Sequence, residues 1–164
     1  MKTKRIYSVT VENRSGVLSK VSGLFARRCF NIDSLAVGET NDSAVSNMTI
    51  VSSGDERTLE QIEKQLNKKL DVIKVKTFTE QQCISRELML MKVKYNKGNR
   101  QEIMEMCELM NANIVDMSLH HMMIQICDTP EKIQLLIHMF ASISIVEVAR
   151  TGTLALQKCM DSEG

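Results

Sequence analysis

The chain has 164 residues, 43% of them hydrophobic and 25% charged, with a formal net charge of +1. That profile fits a soluble globular protein and gives no electrostatic footprint for nucleic acid. No apolar run approaches the roughly 20 residues that span a bilayer, so a membrane-spanning class is excluded too.

The opening MKTKRIYSVTV is basic, but its apolar part is short and interrupted by Ser8 and Thr10. This argues against a signal peptide and for a cytoplasmic chain. The five cysteines are scattered, with no CxxC pair, and are expected to be free thiols in a reducing compartment. The 12 methionines read first as core filler.

The first predicted strand covers about Lys4–Val11, where Tyr7, Val9 and Val11 alternate with Ile6, Ser8 and Thr10. A helix follows over about Gly16–Cys29, with Val17, Val21, Leu24 and Arg28 on one line and Leu18 and Phe25 beside it. Asn31–Gly38 is the second strand, ETNDSA a turn, and Val45–Ser52 the third strand. The second helix places Leu59, Ile62, Leu66 and Leu70 on one face; Ser53 with Glu56 forms a capping box, with Asp55 as a competing N-cap. Asp71–Phe78 is the fourth strand, and Thr79–Ser85 reads as a linker.

The same order then returns. Arg86–Tyr95 is a strand, and Ile103, Met106, Cys107 and Met110 mark a helix. Asn113–Leu119 begins Asn-Ile, as Asn31–Ile32 does, and His120–Cys127 is the next strand. Asp128 or Thr129 caps a helix with Pro130 in its first turn and Ile133, Leu136, Ile137 and Phe140 as its stripe. Ile143–Ala149 is the last strand. The fold class is therefore α+β. Two tandem ferredoxin-like βαββαβ domains are expected, each an antiparallel sheet with both helices on one face, over 4–78 and 86–158, joined by 79–85. Units this small bury little surface alone, so the bare sheet faces imply pairing between halves or chains, at least a homodimer.

No P-loop, GxGxxG, HExxH or GxSxG pattern is present, and no catalytic or metal residue is assigned. His120 and His121, adjacent on a predicted strand, would face opposite ways. The loop ENRSG after the first strand lacks the cysteines of a ferredoxin-like metal carrier, and the central strands lack the aromatics of a ferredoxin-like RNA binder.

ENRSGVL is the segment with site character. Asn13 carries an amide that donates and accepts, Gly16 allows close approach, and the helix beyond offers free N–H groups. Together they suit a small carboxylate. Val17 and Leu18 would form an apolar wall. Asn31 lies past the far end of the same helix, so Asn13 and Asn31 can meet one ligand only across two subunits. The alternative stays open here: Asn13 and Ser15 cap the helix, Gly16 relieves the turn and Asn31 ends a helix.

The run IYSVTVENRSGVLSKVSGLFARRCFNIDSLAVG, then SNMTIVSSGDERTLEQIEKQLNKKLDVIKV and IVEVARTGTLAL, resembles the small regulatory subunit of acetolactate synthase, over about Lys4 to Leu156. Its opening is similar to an ACT domain, an amino-acid-sensing module. The resemblance implies a non-catalytic chain, cofactor-free itself, that binds a large catalytic subunit carrying thiamine diphosphate, magnesium and FAD. It implies activation of that subunit and feedback inhibition in branched-chain amino acid synthesis, usually by valine, with isoleucine or leucine as other effectors. The N-terminal domain would dimerise and hold the effector at Asn13, Gly16 and Asn31, with Ser15, Val17, Leu18 and Ile32 as neighbours. A free-standing ACT-type sensor acting on another partner, such as a transcription regulator, is the alternative. Cys29 stands where glycine is common in such chains.

Overall fold

The computed structural model describes residues 3–159, which divide into two compact units. The first contains β1 (Thr3–Glu12), α1 (Val17–Arg27), β2 (Ser34–Glu39), β3 (Val45–Gly54), α2 (Glu56–Asn67) and β4 (Val72–Phe78). Its sheet is antiparallel in the order β2-β3-β1-β4. The second contains β5 (Cys83–Lys94), α3 (Arg100–Leu109), β6 (Asn113–Met117), β7 (His121–Asp128), α4 (Pro130–Met139) and β8 (Ile145–Arg150), ordered β6-β7-β5-β8. Both units are the expected βαββαβ fold, with the first and third strands central. No described helix is long and apolar enough to cross a membrane.

Strand alternation decides which side chains meet the helices. Tyr7, Val9 and Val11 of β1 join Met48 and Ile50 of β3 in one core with Val17, Val21, Leu24 and Phe25 of α1 and Leu59, Ile62 and Leu66 of α2. Tyr7 carries its hydroxyl inward and donates to Leu59 O at 2.8 Å; burial raises its pKa. The second core uses methionine at matching positions: Met89 and Met91 on β5 and Met122 on β7 are fully buried against Ile103, Cys107, Ile133, Leu136 and Phe140. A fully buried side chain of this kind stabilises by about 1.5–3 kcal/mol. Met is therefore mainly core here, as expected, although Met104 and Met117 are exposed.

The duplication extends to details. In both units the pairing of the first strand with the last slips shortly before the first strand ends, between Thr10 and Val11 and between Lys92 and Val93. Both first helices end in a Schellman motif. Phe30 N–H reaches Phe25 O and Cys29 N–H reaches Ala26 O; Ala112 N–H reaches Cys107 O and Asn111 N–H reaches Glu108 O. Cys29 and Asn111 take the left-handed conformation that this motif needs, at φ 56° and 53°.

Several expectations change. Asp55, not Ser53, caps α2, accepting Thr58 N–H at 2.7 Å. Ser53 is still in β3 and hydrogen-bonds Asp33. Thr129 is the cap of α4, and Pro130 is its first residue. Helix α2 stops at Asn67, which leaves Leu70 off its apolar face and fully exposed. Asn31 and Ile32 precede β2 rather than opening it, because the helix-ending turn extends through Phe30. His120 falls in the turn before β7, so the two histidines do not share a strand. The expected linker shrinks to a turn at Glu80–Gln82, and Cys83–Ser85 are already β5.

A ninth strand was not anticipated. β9 (Leu154–Gln157) pairs with β5 and belongs with the first unit, not the second. Its Ala155, with Cys83, packs on Ile6, Val51 and Phe78. The outer face of the first sheet is thus partly covered by its own chain, where a bare face was expected. Four residues are too short to show a strand period, which is why the sequence hid it.

Candidate functional site

The segment after β1 is held by backbone bonds on both sides. Glu12 N–H donates to Asp71 O at 3.0 Å and Asn13 N–H to Ala44 O at 2.8 Å. The chain then turns through Gly16, whose φ of 85° lies in the region glycine favours. Gly16 is itself the N-cap of α1, and no side chain caps that helix. Val17 N–H reaches back to Arg14 O at 3.4 Å and Lys20 N–H to Gly16 O at 3.0 Å. Among the described residues, the N–H groups of Ser15, Gly16, Leu18 and Ser19 find no acceptor. Orphan donors at a helix start, with the positive end of the helix dipole behind them, attract an anion.

The competing capping role fails on geometry. Asn13 does not turn toward α1; its Nδ2 donates to Glu39 Oε1 at 3.0 Å and to Ser43 O at 2.8 Å. Asn31 does not cap either. It hydrogen-bonds Asp33, and its carbonyl accepts from Ser52 Oγ at 2.6 Å.

Of the residues singled out from sequence, Asn13, Ser15, Gly16 and Leu18 gather at one exposed mouth, Leu18 being 45% exposed. Val17 points the other way: it is 3% exposed and part of the core, because the first inward position of the α1 stripe falls on it. Of the apolar wall expected from Val17 and Leu18, Leu18 lies at the surface and Val17 behind it in the core. Asn31 and Ile32 lie beyond the other end of the 11-residue helix, about 16 Å away at about 1.5 Å per residue. Ile32 is half-buried against the core. One chain therefore does not bring the two asparagines together.

Two residues of the mouth were missed. β1 and β2 both run antiparallel to β3, so their C-terminal ends lie at the same edge. That places Glu39, the last residue of β2, and Ser43, in the turn after it, beside Asn13. The topology was legible, but which turn residue reaches Asn13 was not. Nearby cations are already committed: Arg14 pairs with Glu12 at 2.6 Å and Lys20 with Asp71 at 2.8 Å. The Lys20 contact holds the Asp71 carboxyl below its usual pKa.

The equivalent mouth in the second unit is closed. Asn96 Oδ1 accepts the N–H groups of Gly98 at 2.7 Å and Asn99 at 3.1 Å. Asn99 Oδ1 accepts Asn96 N–H in return, at 2.8 Å. The two amides ahead of α3 are satisfied within the loop, whereas Ser15 and Gly16 are not.

Comparison with known proteins covers both units. Residues 7–74 match the family described as AHAS small subunit-like ACT domain, and residues 86–159 that described as small subunit of acetolactate synthase. The second match includes β9, although that strand packs with the first unit. The acetolactate synthase small subunit of Mycolicibacterium smegmatis is 44% identical over 151 residues, 92% of this chain and 89% of that one. The Bacillus subtilis small subunit is 42% identical over 156 residues, 94% and 91% of the two chains. The crystal structure of the Thermotoga maritima small subunit superposes with a TM-score of 0.89 at 35% identity, covering 96% of this chain and 99% of that one. With its two βαββαβ units matched in order, the chain belongs to the acetolactate synthase small-subunit family, with an ACT domain at its N-terminal end.

Proposed function

We propose that this chain is the non-catalytic regulatory subunit of an acetolactate synthase. It binds the large catalytic subunit, which carries the thiamine diphosphate, magnesium and FAD, raises that subunit's activity and makes it sensitive to a branched-chain amino acid, valine first. Family membership supports the partner. The observation that carries the effector site is the open mouth at Asn13–Gly16, with unpartnered N–H groups in the ACT unit and a self-satisfied loop at the corresponding place in the second unit.

In this reading two copies meet through antiparallel α1 helices, so that the Asn13 mouth of one faces Asn31 and Ile32 of the other. Effector binding then stabilises one arrangement of the pair and biases the attached large subunits. Coupling of this type is typically about 1–3 kcal/mol.

The test is acetolactate formation by the cognate large subunit, with and without this chain, across a valine titration. Faster turnover and new valine sensitivity are expected. Gly16→Asp, which puts an anion at the mouth and a side chain at positive φ, raises the valine concentration for half-inhibition by about tenfold or more. Normal sensitivity in Gly16→Asp would overturn the site. No effect of the chain on the large subunit would favour a free-standing amino-acid sensor.

A further inference from the structure

The hydrogen bonds of Asn13 identify the other end of the ligand. Its Nδ2 donates to Glu39 Oε1 and Ser43 O, two acceptors that carry no hydrogen. The amide therefore has one admissible orientation, NH2 toward these partners, and both its hydrogens are used. Its Oδ1 accepts nothing from the described residues. What Asn13 offers a ligand is an acceptor, not the donor-and-acceptor pair expected from sequence. The second carboxylate oxygen of Glu39 stands beside it without a partner among the described residues.

An amide oxygen next to a carboxylate repels an anion and attracts an ammonium. Two and three residues along the same loop, the N–H groups of Ser15 and Gly16 have the opposite preference. The mouth thus sets acceptors beside donors, the complement of a zwitterion. Arg14 and Lys20, each held by its own carboxylate, are not free to neutralise Glu39.

We propose that Asn13 Oδ1 and the Glu39 carboxylate bind the α-ammonium of the effector, so that the site selects α-amino acids against 2-oxo and 2-hydroxy acids of the same carbon skeleton. The inference rests on the Asn13–Gly16 loop being the effector site, and it makes Glu39 a specificity residue. A site built to bond an N–H rejects analogues that lack it, because acceptors that lose water when two chains close over the ligand are then left unpaired.

Calorimetric titration of the full chain with L-valine, 3-methyl-2-oxobutanoate and 2-hydroxy-3-methylbutanoate tests this. The wild type binds valine and rejects both analogues. Glu39→Ala weakens valine by about 10- to 100-fold while the analogues bind no more weakly than before. Glu39→Gln keeps an acceptor for Asn13 Nδ2, so a loss of valine affinity in this variant reports the charge alone. Gly16→Asp separates the two levels. If it abolishes valine binding and both Glu39 variants bind and discriminate like wild type, the ammonium assignment is wrong and the site stands. If Gly16→Asp also binds normally, or the wild type binds no valine, the loop reading falls with it.

Discussion

Two residues are held at a local cost that substitution can relieve. Thr49 is fully buried at the centre of β3, opposite Ser8 and Ala36, and its Oγ1 has no hydrogen-bond partner among the described residues. A buried hydroxyl left unsatisfied costs about 1–3 kcal/mol, so Thr49→Val should stabilise the chain by about 1 kcal/mol in urea unfolding. Cys29 occupies the left-handed position of the Schellman motif that closes α1, with Phe30 packed edge-on against Phe25. Glycine lacks the Cβ clash that makes this conformation costly, and Cys29→Gly is expected to gain about 0.5–1 kcal/mol. The equivalent change at Asn111 should gain less, because asparagine tolerates this region. All five cysteines are free, and burial pushes the Cys107 thiol up to about 11, so modification by thiol reagents should spare it and reach Cys29, Cys127 and Cys159.

At the scale of elements, helix starts bear on stability and on the proposed effector site. Helix α2 has a side-chain cap: the Thr58 N–H bond holds the Asp55 carboxyl below its ordinary 3.8. A depressed folded pKa means that the contribution is present above about pH 4 and lost as pH falls through the folded value. Melting temperature should therefore drop on acidification below pH 4, and Asp55→Ala should lower it at pH 7 while flattening part of that acid response. Helix α1 has no such cap, and an uncapped start is a liability unless a ligand fills it. The contrast with α3, where Asn96 and Asn99 close the loop on themselves, predicts one effector per chain rather than two. Calorimetric stoichiometry near one per chain is expected; a value near two would show that the second unit also binds.

For the whole molecule, the proposed effector site needs two chains, because one chain holds the Asn13 mouth and Asn31 at opposite ends of α1. Light scattering at micromolar concentration is expected to report a species of at least twice the 18.6 kDa chain mass. Added effector should tighten that assembly, since a ligand bound by both copies stabilises their association. A chain that stays at 18.6 kDa with and without effector would remove the shared site.

The sequence by itself determined the two βαββαβ units, their strand order and most of their cores, because period-2 and period-3.6 patterns record which face of each element is buried. Tyr7, Val9 and Val11 or Leu59, Ile62 and Leu66 need no tertiary information to be read this way. It also marked Asn13 and Gly16, since a polar glycine turn between a strand and a helix has a local signature. Tertiary structure alone decided which atoms of that turn are free. Val17 faces the core because the helix stripe turned it inward, and Glu39 reaches Asn13 because β2 ends level with β1. Likewise β9, four residues without a readable period, found its place only because the first sheet had an apolar outer face to cover. Local patterns report burial; hydrogen-bond partners between segments remote in sequence are set by how the strands are ordered in space.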